Sequence, residues 1–190
     1  MSFMPLVLAS SSPRRQQLLT EAGIEFVVRP ANIQEIRLPS EAPKEFAERM
    51  AKEKAAFIRN YGINQNEAVL GADTVVVIEN EVLGKPADAN DAARMLRLLS
   101  GRKHFVITGV CLAGRNFEDV RSETTGVYFS ELSEGEIASY VESGEPMDKA
   151  GAYAIQCGAS RWVAKIEGDY NNVVGLPVDL VKRMLRQHGV

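Results

Sequence analysis

The sequence predicts an α/β protein built on a mixed sheet, and three observations carry that expectation. Strand and helix patterns alternate from the start of the chain. The stretch Ala68 to Ile78, apolar apart from Gly71, Asp73 and Thr74, reads as buried sheet. Two long strand patterns, His104 to Ala113 and Val120 to Phe129, flank the turn signal Gly114-Arg115-Asn116 and are expected to form a hairpin.

Taken in order, a short apolar strand, Leu6 to Ala9, leads into a helix from Pro13 to Ala22. Pro13 suits the first helical position, where its missing N–H costs nothing, and Gly23 stops the helix. A strand follows around Phe26 to Arg29. A second helix, from about Pro43 to Asn60, carries Phe46, Met50, Ala51, Lys54 and Phe57 to Ile58, and precedes the Ala68 strand. Asn90 is expected to cap a helix with Ala93, Met95, Leu96 and Leu99 as apolar positions, ended by Ser100-Gly101. After the hairpin, Ser133 and Glu136 have capping-box spacing for a helix to Glu142, closed by Ser143-Gly144. Short strands near Tyr153 and from Trp162 to Ile166, then a helix from Pro177 to Gln187, complete the pattern. With no repeat, linker or low-complexity segment, the expectation is a mixed-sheet domain with flanking helices and a hairpin-containing lobe.

Composition narrows the functional classes. The 190 residues are 45% hydrophobic, enough for a substantial core, and 25% charged with a formal net charge of -3. Such a surface repels nucleic acid and anionic membrane, so any anion site must be local. Aromatic content of 7% and scattered basic residues argue further against a nucleic-acid module. Cys111 and Cys157 provide neither a disulfide framework nor zinc spacing, and His104 and His188 are too few for a histidine-built metal centre. Met1 to Ala9 is too short and uncharged for a secretory signal, and no apolar run approaches the roughly 20 residues of a membrane span. The expected location is the cytoplasm.

Within this frame, Ser10-Ser11-Ser12-Pro13-Arg14-Arg15 joins a strand directly to a helix and reads as an anion site. Unpaired N–H groups, the positive end of the helix dipole and two guanidiniums would converge there. A hydroxyl-rich turn of this kind is equally a helix cap beside solvated arginines. Asp73 is the leading catalytic candidate, because a carboxylate within an apolar strand is expensive to bury without partners or work to do. The alternative is a strand-end aspartate capping a turn. Lys52, Lys54 and Lys85, the last in the rigid turn Gly84-Lys85-Pro86, are phosphate ligands only if they converge, and surface residues otherwise. Glu35, in a polar loop, could pair with Asp73 to hold a hard divalent cation through oxygen atoms. In Asp148 to Gln156, followed by Glu167-Gly168-Asp169 and Gly175-Leu176-Pro177, small residues allow backbone to approach a ligand. Gln156 offers a donor and an acceptor able to read a pyrimidine edge; a solvent-facing glutamine and plain glycine turns remain the alternatives.

Five motifs in order, Ser10 to Arg15, Gly71-Ala72-Asp73-Thr74-Val75-Val76, Gly84-Lys85-Pro86, Met95-Leu96-Arg97-Leu98-Leu99-Ser100-Gly101 and Asp148 to Gln156, give the chain a close resemblance to the Maf family of nucleotide pyrophosphatases. The resemblance covers essentially the whole chain. It implies a single Maf-like domain over residues 1–190, with an elongated, ITPase-like fold and a central cleft between two lobes. It also implies cleavage of nucleoside triphosphates to monophosphate and pyrophosphate with a divalent cation (Mg, Mn or Co), and a homodimer. Ala-Asp-Thr after the glycine and the later Ile-Gln resemble the subgroup acting on dTTP and UTP; the branch acting on methylated GTP typically differs after the aspartate.

By the same resemblance Asp73 is the proton acceptor and, with Glu35, holds the metal. Arg14, Thr74 and Gln156 match the specificity positions, and Ser10, Arg15, Glu35, Lys54 and Lys85 match the phosphate- and metal-handling residues. Two departures stand beside the implied base pocket: Cys157 where the subgroup usually has glycine, and Ala154 in place of another glycine. They put the identity of the base in question while leaving the hydrolytic residues intact. The competing reading is a non-catalytic nucleotide-binding regulator linked to cell division.

Overall fold

The computed structural model describes residues 4–61 and 66–190. The first strand, β1 (Leu6–Leu8), pairs in parallel with β2 (Val27–Val28) and with β3 (Ala68–Ile78), placing Val7 opposite both Val27 and Val69. A short β4 (Glu81–Leu83) folds back antiparallel on the far end of β3, with Val76 opposite Leu83. β5 (Lys103–Ala113) and β6 (Glu118–Phe129) are sheet neighbours, and β7 (Val163–Glu167) pairs antiparallel with β6 through an irregularity at Tyr128 and Phe129. The seven-stranded sheet is therefore mixed, in the order β2-β1-β3-β5-β6-β7 with β4 on β3.

Contacts divide the chain into two compact units. The first comprises the described residues of Met1–Asp73, with Thr108–Glu123 and Gly175–Val190. Its helices are α1 (Pro13–Glu21), α2 (Pro43–Tyr61) and, at the end of the chain, α6 (Val178–His188). On α2 the buried residues Ala47, Met50, Ala51, Lys54, Ala55 and Ile58 recur at intervals of three and four, so they form one stripe facing the sheet. Val7, Ala9, Ala51, Ala55, Ile58, Val69, Cys111 and Ala113 make one continuous core cluster. Two glycines let the helix lie this close. A Cβ on Gly71 would sit 2.1 Å from the Ala51 carbonyl oxygen, and one on Gly109 would sit 2.3 Å from that of Ala47.

The second unit comprises Thr74–Ile107 and Thr124–Val174. Here α3 (Ala89–Leu99) packs on α4 (Glu134–Glu142) and on a 3-10 turn at Ala150–Ala152, and α5 (Tyr170–Val174) follows β7. Further 3-10 turns span Glu145–Asp148 and Gly158–Trp162. The expected capping box of α4 is present, with Ser133 and Glu136 bonded reciprocally. The cap of α3 is Asp88 rather than Asn90: extended Asp88 accepts the Asp91 N–H at 2.8 Å, and Asn90 already lies inside the helix. The strand expected near Tyr153 is also absent. Gly151 and Ala152 both adopt positive φ, turning the chain away from any ladder, and β7 starts only at Val163.

Candidate active site

The close approach of α2 to β3 builds the site in the first unit. Gly71 and Asp73 are two residues apart on a strand and share a face. Lys54 shares the α2 stripe with Ala51 and Ala55, the residues against which Gly71 lies. Lys54 Nζ consequently reaches Asp73 Oδ1 at 2.5 Å, and both residues are buried, at 7% and 6% exposure. The same ammonium meets Glu35 Oε1 at 2.6 Å. Burial is the dominant influence on Asp73 and raises its pKa above the ordinary carboxylate value; the Lys54 and Arg15 charges oppose that shift without cancelling it.

Glu35 arrives on an exposed loop without regular structure, and Arg49 of α2 ties that loop down. Its guanidinium donates to the Ile36 carbonyl at 2.8 Å and to both Glu41 carboxylate oxygens, at 2.6 and 2.9 Å. The residue after Glu35 is thereby fixed to the helix that carries Lys54. Nothing in the sequence separates Arg49 from a solvated helix arginine, because its partners lie across a loop. Gly71 did leave a signal, as a glycine inside an apolar strand.

The serine-rich turn is organised differently from a capped helix start. Ser12 occupies the N-cap position without a side-chain bond to the helix. Ser10 Oγ instead accepts the Ser12 N–H at 3.2 Å and Arg15 Nη1 at 3.1 Å, while Arg15 Nε donates to the Gly175 carbonyl at 2.9 Å. Arg15 is thus a buried, oriented cation whose charge is felt by Asp73, and Gly175, at φ +135°, presents the carbonyl that orients it. Arg14, half-exposed, makes no hydrogen bond or ion pair with any described residue. Lys52 points elsewhere, pairing with Glu118 at 2.6 Å on the surface.

Of the residues singled out in the sequence, the first unit brings together Ser10, Arg15, Glu35, Lys54 and Asp73. Thr74, Lys85 and Gln156 belong to the second. Thr74 follows Asp73 on β3 and is half-buried. The turn before exposed Lys85 is pinned where the Gly84 carbonyl accepts the Gly151 N–H at 3.0 Å, which joins two of the sequence motifs within that unit. Gln156 is exposed, and its amide makes no hydrogen bond with a described residue. Cys157 is exposed beside it, at φ −117°, a conformation open to any residue.

Among the described residues no three His, Cys, Asp or Glu side chains cluster as a ready-made metal site. Glu35 and Asp73 both reach Lys54 Nζ, at 2.6 and 2.5 Å, so their carboxylates lie side by side. Carboxylate oxygens of this kind are the donors a hard divalent cation takes.

The chain belongs to the Maf family, matching the description Maf-like protein over residues 5–188. It is 55% identical to a dTTP/UTP pyrophosphatase of Koribacter versatilis (strain Ellin345) over 98% of this chain and 96% of that one. It is 52% identical to the protein of the same name from Symbiobacterium thermophilum, over 97% and 94%, and 48% identical to that from Geobacter metallireducens, over 97% and 96%. The solved structure of the Staphylococcus aureus Ham1 protein shares the fold, with a TM-score of 0.51 at 13% identity over 97% of this chain and 99% of that one.

Proposed function

We propose that this chain is a nucleoside triphosphate pyrophosphatase that hydrolyses dTTP and UTP to the monophosphate and pyrophosphate. One observation carries the reading: a buried carboxylate, Asp73, held 2.5 Å from Lys54 in a chain 55% identical, along 98% of its length, to a protein named for that activity. Residues 1–190 act as one domain of the family. The resemblance also supports a homodimer; the net charge of -3 argues against nucleic acid and anionic membrane as partners, and we place the protein in the cytoplasm. No helix among the described residues is long and apolar enough to cross a membrane.

In this reading Asp73 positions the attacking water and takes its proton. Burial raises the carboxyl's proton affinity, which makes it a better base than a surface aspartate, and Lys54 fixes its orientation. Arg14, at the start of α1, receives the triphosphate, and buried Arg15 adds fixed positive charge. The water oxygen bonds to the α-phosphorus as the bond to the α,β-bridging oxygen breaks. Pyrophosphate departs with the electron pair, its charge met by Lys54 and Lys85. Thr74 and Gln156 select the base. Glu35 and Asp73 would hold Mg, Mn or Co, and such a cation supplies charge neutralisation at the phosphate oxygens.

The test is product analysis on purified protein. UTP and dTTP should yield monophosphate and pyrophosphate with a higher kcat/KM than ATP or GTP, and excess chelator should stop turnover. Release of inorganic phosphate with a diphosphate, or full activity in chelator, contradicts the reading; nucleotide binding without turnover would point to a regulator.

A further inference from the structure

Gln156 sits on a turn with no sheet ladder to hold it. Within that turn the Cys157 N–H reaches the Ala154 carbonyl at 3.3 Å and the Ser160 N–H reaches the Cys157 carbonyl at 2.9 Å. The turn is tied to the rest of its unit by Glu145. The Gly158 N–H is shared between both Glu145 carboxylate oxygens, at 3.2 and 3.4 Å, and the Tyr140 hydroxyl donates to Oε1 at 2.7 Å. Packing repeats the message of the hydrogen bonds. A Cβ on Gly158 would lie 3.2 Å from Glu145 Oε2 and 3.2 Å from Tyr140 Cε2, so the turn rests directly on these two side chains.

The anchor is itself rigid. The Glu145 N–H donates to Ser143 Oγ at 3.2 Å, its carbonyl accepts Lys149 Nζ at 2.6 Å, and buried Tyr140 stacks edge-on against buried Trp162 with ring centroids 5.0 Å apart. A carboxylate placed this firmly holds Gly158, two residues along the chain from an exposed glutamine amide that makes no hydrogen bond with a described residue, and so controls where that amide is presented. We propose that Glu145 is a positioning residue for base selection, fixing through Gly158 the turn from which Gln156 reads a pyrimidine. The inference rests on the reading of Gln156 given above. It follows from the narrow range of donor–acceptor distances over which a hydrogen bond retains its strength.

The experiment measures kcat/KM for UTP, dTTP, ATP and GTP, with thermal unfolding midpoints, for the parent and for Glu145→Ala, Tyr140→Phe and Gln156→Ala. Glu145→Ala should shrink the pyrimidine-over-purine preference at least about fivefold, the order expected when a hydrogen bond is lost or misplaced. Tyr140→Phe, which keeps the ring and removes the bond to Glu145, should move it the same way by less. A residue that only stabilises the fold would lower the midpoint and scale all four substrates alike; that result overturns the inference. Should Glu145→Ala fail to fold, Tyr140→Phe decides between the same two outcomes. If Gln156→Ala abolishes the preference while both clamp variants retain it, only the role of Glu145 falls. If Gln156→Ala leaves the preference intact, the assignment of Gln156 falls and takes the inference with it.

Discussion

Asp73 owes its chemistry to its neighbours. A lone carboxylate at 6% exposure in an apolar strand would be costly, and the Lys54 ammonium at 2.5 Å makes it tolerable while leaving its proton affinity raised. Asp73→Asn keeps the shape and removes the base, so turnover should fall by at least about a hundredfold with folding retained. The sign of the pH effect follows from the same environment. The base works deprotonated and its pKa is raised, so the acid limb of kcat/KM should have its midpoint above the 3.8 of an ordinary aspartate, and activity should be lost as pH falls through it. Parental turnover in Asp73→Asn, or a profile flat down to pH 3.8, would make Asp73 structural. The residue types at this site were legible in the sequence, since a carboxylate interrupting an apolar strand announces itself. Their bonding was not: Ser10 serves Arg15, whose guanidinium is oriented by Gly175 160 residues further on, rather than capping a helix, and Arg49 reaches back across a loop to fasten the residue after Glu35.

At the scale of elements, two devices hold the machinery in place. The first is the approach of α2 to β3 at Gly71. Gly71→Ala would force a methyl against backbone atoms that cannot rotate away, the nearest 2.1 Å distant. Overpacking of this kind costs about 1–3 kcal/mol, and lifting α2 would also separate Lys54 from Asp73. Urea denaturation should show the loss with a parallel fall in kcat; an unchanged midpoint would contradict it. The second is the aromatic core of the second unit, where fully buried His104 meets the Tyr153 hydroxyl at 2.8 Å and packs edge-on against Phe129. Burial lowers its pKa from 6.5 to about 4, so the unfolded chain binds a proton the folded one refuses in that window. Stability should therefore fall on acidification from pH 6.5 toward 4, by about 3 kcal/mol from this group. Denaturation across that range should show a shallower slope in His104→Gln, and identical slopes would remove His104 as the cause. Long elements such as Ala68–Ile78 were legible because their pattern is strong. The 3-10 turns from Glu145 to Trp162, and β4 and α5, were not, because short segments carry too few residues for a period and are set by tertiary packing.

For the molecule as a whole, the charge balance and the site pull in opposite directions. A chain of net charge -3 binds a polyanion only by gathering cations locally, and buried Arg15 and Lys54 place positive charge beside Asp73. Selectivity among nucleotides must come from elsewhere, since every triphosphate offers the same phosphates. The central claim is attack of water on the α-phosphorus, and hydrolysis of UTP in 18O-enriched water tests it most directly. Mass spectrometry of the products should find the heavy oxygen in the monophosphate and none in pyrophosphate. Label in pyrophosphate would place the attack on the β-phosphorus and contradict the account.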